Sequence, residues 1–163
     1  MIVSNTTPIV CFLKLGRLDI LKNIFNEIII SQAVYAEVTA KPDEAEAITA
    51  LTESGLFKTR PVENKFAVSL LQKQIGLDLG ESESIVLAQE LKAELLLMDE
   101  RKGRRVAAEN GISISGTLGV LIKAKQMNLV KEIRPLLNEL ITKDIRIGNN
   151  LLKKVLESVN ENE

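Results

Sequence analysis

The sequence predicts an α/β fold in which a mostly parallel sheet carries helices on both faces. Three observations lead there. Short apolar and β-branched runs alternate with longer amphipathic stretches along the chain. Gly, Asn, Ser and Pro punctuate the joins between them. Apolar residues make up 45% of the 163, with aromatics at 3% and no Trp, so the core must be packed from Leu, Ile, Val and Ala. A chain of this length fits one domain, 1–163. No internal repeat, low-complexity segment or linker interrupts it.

Each element follows from local chemistry. Ile2-Val3-Ser4 reads as a first buried strand, and Asn5 closes it. A helix over 7–15 follows, with Thr6 or Thr7 as its cap and Pro8 in the first turn, where the missing N–H costs nothing. Gly16 ends it, and a second short helix runs from 17 to about 25. Glu27–Ile30 is a β-branched run and reads as a strand. Ser31 caps a helix through Thr39. Lys41-Pro42-Asp43 breaks the chain, and 43–54 is helical with acids in its first turns, where the macrodipole favours them. Residues 57–62 read as a strand. A helix over 64–75 is expected to place Phe66, Leu70 and Leu71 on one stripe. Helix 80–92 leads into Glu94–Met98, the clearest buried strand. Helix 99–110 ends at Gly111, 112–114 forms a short strand, and a helix spans 116–126. The tail, about 131–158, holds two more helices.

Composition removes several chemistries. The chain has no His, which excludes Ser-His-Asp and Cys-His catalysis and His-ligated zinc. Cys11 is the only cysteine, so no intrachain disulfide exists. It lies in an apolar run, IVCFL, and reads as a small packed hydrophobe. The net charge of −1 argues against a general nucleic-acid coat but leaves room for a local basic patch. No signal peptide is visible, and no uncharged apolar run reaches the ~18 residues of a membrane span. The expectation is a soluble cytoplasmic protein with no membrane contact. No Gly-rich phosphate loop of the expected form is present, because GISISGTLG is too sparse in Gly.

In parallel α/β sheets, ligands bind beyond the carboxyl ends of the strands. The polar residues predicted there are Asn5, Glu37, Glu81, Glu83, Asp99, Glu100 and Thr117. Gathered carboxylates repel one another unless a cation lies between them, and Mg²⁺ or Mn²⁺ prefers such oxygen ligands. That combination can activate water against a phosphodiester without any His. Each residue also has a structural reading. Glu37 could be a solvent-facing helix residue, Glu81 a first-turn acid answering the helix dipole, and Asp99 and Thr117 helix caps.

At these positions the chain resembles the PIN-domain family, in the branch close to the VapC-type toxin ribonucleases. The matching segments are IVSNTTPIVCFLKLGRLDIL, QAVYAEV, LGESESIVLAQEL, LLLMDERKGRRVAAENGI and SGTLGVLIKAK, in the family's order over about 1–126. The remainder, about 131–158, is a C-terminal helical extension. The resemblance implies a three-layer α/β/α fold and metal-dependent RNA cleavage with Mg²⁺ or Mn²⁺. It also implies a small cognate antitoxin that blocks the acidic pocket, and often a homodimer. The family's first acid falls at Asn5, its second at Glu37, its third at Glu83 with Glu81 just before, and its fourth at Asp99 beside Glu100. Its hydroxyl position is Thr117.

Asn5 offers a neutral carbonyl oxygen where the family usually has a charge. One charge pair at ~4 Å is worth on the order of 4 kcal/mol at an effective dielectric of ~20, before desolvation. A single-metal or weak site favouring Mn²⁺ over Mg²⁺ is therefore expected. The other reading is a degenerate PIN domain that serves as an RNA-binding or protein-interaction module. The cations Arg101, Lys102, Arg104 and Arg105 directly follow Asp99. They could meet an RNA backbone or form an ordinary solvated face.

Overall fold

A computed structural model describes residues 1–162. Its elements run β1 (Ile2–Ser4), α1 (Thr6–Lys14), α2 (Leu18–Phe25), β2 (Ile28–Ser31), α3 (Gln32–Val38), α4 (Pro42–Glu53) and β3 (Phe57–Arg60). Then come α5 (Lys65–Leu70), which continues into a π-helical turn (Leu71–Ile75), and α6 (Leu79–Glu90), β4 (Leu95–Leu97) and α7 (Arg101–Glu109). The chain finishes with β5 (Ile114–Ser115), α8 (Thr117–Gln126), α9 (Arg134–Thr142) and α10 (Asn149–Ser158).

The sheet has five strands in the order β3-β2-β1-β4-β5, and every pairing is parallel. Strand residues alternate between its two faces, as a period of two requires. Ile28, Ile30, Phe57 and Leu97 join an apolar cluster with α1, α2, α8, α9 and α10. Val3, Ile29, Leu96 and Met98 join a second cluster with Val68, Ile85 and Val106 from α5, α6 and α7. The three-layer α/β/α architecture expected from the sequence is therefore present.

The strand order places the topological switch between β1 and β4, because successive strands leave in opposite directions from that seam. Ser4 pairs with Leu97 at its end. The Asn5 N–H then donates to the Leu97 carbonyl at 2.9 Å.

Several boundaries differ from the sequence expectation. The strand expected over 57–62 stops at Arg60, although Val62 beyond it is still buried. The strand expected over 112–114 forms at Ile114–Ser115, since the Ile112 amide is used to close α7 on Ala107 O. The helix expected over 64–75 does not carry an inward stripe of Phe66, Leu70 and Leu71. Val68 is its buried residue and Phe66 is 73% exposed. Phe66 and Leu70, four residues apart, do share a face of α5, but that face turns to solvent, while Leu71 packs against the second apolar cluster.

Candidate active site

Asn5 and Asp99 lie where β1 and β4 end, on either side of the switch. Asn5 is buried and occupies the cap position of α1 in extended backbone (φ −79°, ψ 176°), yet its side chain makes no capping bond. The backbone is held instead, by Leu97 through the N–H and by the Ser4 hydroxyl, which donates to Asn5 O at 2.9 Å. The amide side chain is thus left for the site.

Asp99 is fixed by α8. Its Oδ1 accepts the Thr117 N–H at 2.8 Å and its Oδ2 accepts the Thr117 hydroxyl at 2.6 Å. The carboxylate caps the start of α8 from another element, where the N-terminal partial positive charge favours it. This contact requires Gly116, because a Cβ there would lie 2.4 Å from Asp99 Oδ1. Thr117 does not cap its own helix; Gly116 holds that position.

Glu37 stands exposed on α3 and accepts a hydrogen bond from the Thr6 hydroxyl. Its carboxylate also lies on Gly80, where a Cβ would come within 2.5 Å of Oε1. Thr6 and Gly80 were not legible as site residues, because each partner is distant in the chain. Asp78 was missed too, although D-L-G-E carries the capping-box signal. Its carboxylate accepts the Glu81 N–H at 2.7 Å, and Glu81 Oε2 accepts the Asp78 N–H at 2.9 Å.

Glu81 and Glu83, two residues apart on α6, serve different neighbours. Burial pushes the Glu81 carboxyl above its ordinary range. The Asp78 amide partly offsets this, and the charges of Asp78, Glu100 and Glu37 push it further up. Glu83 turns the other way. Its Oε2 accepts the Ala33 N–H at 3.0 Å, and its Oε1 lies 3.7 Å from Lys65 Nζ. Glu100 is exposed at the cap position of α7 and makes no capping bond.

Of the basic run, Arg101, Lys102 and Arg105 are exposed. Arg104 folds back, donating from Nη1 to the Met98 carbonyl at 2.9 Å, so it braces the end of β4. Cys11 is buried beside Thr117 and Asp99. Burial raises its thiol to about 11, which keeps it protonated and poorly nucleophilic at neutral pH. A cavity of about 410 Å³ opens from Asp99, Glu100 and Thr117 toward Leu140, Ile147 and Leu151 of the C-terminal extension.

A family model described as a PIN domain matches residues 1–161. The chain belongs to the PIN-domain family. No curated protein matches it. PIN domains are generally nucleases that use divalent metals, so this PIN domain has a nuclease fold. Its donor set fits a hard cation in kind, being all oxygen. Among the described residues, no ion pair engages Glu37, Glu81, Asp99 or Glu100, so these charges lack a cationic partner from the protein. Among the described residues, no three acidic or Cys side chains stand close enough to hold one ion in common. No helix among them is long and apolar enough to cross a membrane.

Proposed function

We propose that this PIN domain, 1–163, is a metal-dependent endoribonuclease and the toxin of a toxin–antitoxin pair. The observation that carries the reading is a set of acids without ion-pair partners among the described residues, Asp99 and Glu100 beyond β4, Glu37 on α3 and Glu81 on α6, in a family of nucleases. Asn5, Glu37 and Asp99, with an acid from the first turn of α6 (Glu81 or Glu83), supply the oxygen ligands for Mg²⁺ or Mn²⁺. Their side chains would have to close on the ion as it binds, since no three acids among the described residues already stand within reach of one ion. A divalent ion there supplies an acidified water and positive charge at the phosphodiester. Thr117 holds the Asp99 carboxylate in one orientation, and Thr6 does the same for Glu37. Arg101, Lys102 and Arg105 are placed to meet RNA phosphates, while Arg104 keeps the β4 end rigid. A cognate antitoxin, a homodimer and a cytoplasmic setting belong to the same proposal.

A second reading has its own support. Asn5 and the wide spacing of the acids favour a degenerate PIN domain that binds RNA or protein without cutting. Purified protein incubated with RNA in Mn²⁺, Mg²⁺ or EDTA, beside Asp99→Asn, separates the two. Cleavage that requires metal and vanishes in the variant is expected. Equal products from the native protein and the variant, across several RNAs, overturn the nuclease reading.

A further inference from the structure

Glu83 falls at the family's third-acid position, but its geometry gives it another task. It is only 6% exposed. One carboxylate oxygen accepts the Ala33 N–H, an otherwise unpaired donor in the first turn of α3. The neighbouring donor, the Val34 N–H, is already taken by the Ser31 hydroxyl. Ala33 and Glu37 are four residues apart, so they stack on one face of α3. Gly80 and Glu83 are three apart and stack likewise on α6. The two faces meet at two points: Glu83 grips Ala33, and Gly80 receives the Glu37 carboxylate with no room for a side chain. Glu81, between them in sequence, projects from α6 in another direction.

We propose that Glu83 is a positioning residue rather than a metal ligand: it locks α3 against α6 so that Glu37 is held at the site. The third metal-holding acid is then Glu81. This inference rests on the reading that Glu37 belongs to the metal shell. A carboxylate bonded to a helix N-terminus is a strong acceptor. Lys65 adds little to the lock, because it is largely exposed and 3.7 Å away.

The test compares native protein with Glu83→Gln, Glu83→Ala and Glu81→Gln. Mn²⁺ affinity is measured by calorimetry, and exchange of the Ala33 amide by NMR. A Gln carbonyl can still accept from Ala33, so Glu83→Gln should bind Mn²⁺ within about threefold of native and keep the Ala33 amide protected. Glu83→Ala should lose about tenfold in affinity and expose that amide. Glu81→Gln should lose at least as much affinity and leave the amide protected. If Glu83→Gln loses as much affinity as Glu83→Ala, Glu83 is a ligand and the proposal is wrong. If Glu83→Ala melts earlier yet its folded form binds Mn²⁺ like native, the role is structural only and the proposal is again wrong. If native protein neither binds Mn²⁺ nor cuts RNA, the nuclease reading fails. Unchanged Ala33 exchange in Glu83→Ala would then overturn the lock itself.

Discussion

Asn5 concentrates the question at the scale of single residues. Its backbone is held at the end of β1 and its side chain does not cap α1. Its identity therefore bears on charge at the site more than on folding. Asn5→Asp adds a carboxylate among acids that no protein cation neutralises. Mg²⁺ affinity should rise by about tenfold or more, with the metal-free protein less stable, since like charges then crowd a buried position. Calorimetry with Mg²⁺ checks this, and equal affinity in both proteins contradicts it. The sequence identified Asn5, Glu37, Asp99 and Thr117 as candidates because they flank strand ends. It placed the third acid at Glu83 and gave Glu81 the supporting part, the reverse of the assignment proposed above. Both sit in one helical turn, and only the position of α3 tells which of them faces Ala33.

Helix α6 links the site together at the level of elements. Its N-terminus is built by the Asp78–Glu81 capping box, and its first turn touches α3 at Gly80 and Glu83. Gly80→Ala tests that contact. Alanine favours a helix interior over glycine by about 1 kcal/mol, so the substitution alone should help α6. The added Cβ would meet the Glu37 carboxylate at 2.5 Å and must push it away. The expected outcome is weaker Mn²⁺ binding at least fivefold, without a lower melting temperature than a clash in the core would bring. A variant that binds Mn²⁺ as native does would show that Glu37 is free to move. Strand and helix identities were readable from periodicity, but their ends were not. The π-helical turn after Leu70 and the early stop of β3 depend on neighbours rather than on the local pattern.

Across the whole molecule, Glu161 ties the end of the C-terminal extension to α8 and to the start of α9. Its carboxylate accepts Lys125 Nζ at 2.7 Å and the amides of Ile133 and Arg134, each at 2.8 Å. Burial pushes this carboxyl up, but Lys125 and the two amides outweigh it, so it lies below the ordinary glutamate range. A depressed carboxylate stabilises the fold above its unfolded value of about 4.3 and ceases to as pH falls through its folded value. Glu161→Gln should therefore cost about 1–3 kcal/mol at pH 7. The gap to native should close as the pH drops below ~4. Melting curves from pH 3 to 7 measure it; a gap independent of pH would remove the charge from the account. The extension also walls the cavity beside Asp99, through Leu140, Ile147 and Leu151. The sequence by itself determined the α/β class, the PIN resemblance, the lack of His chemistry and the acids at strand ends, because local periodicity and residue type carry those. Only the tertiary structure decided that Thr117 orients Asp99, that Thr6 and Gly80 receive Glu37, and that Arg104 braces β4. Each contact joins residues distant in sequence or in separate elements, and no local pattern encodes their distance.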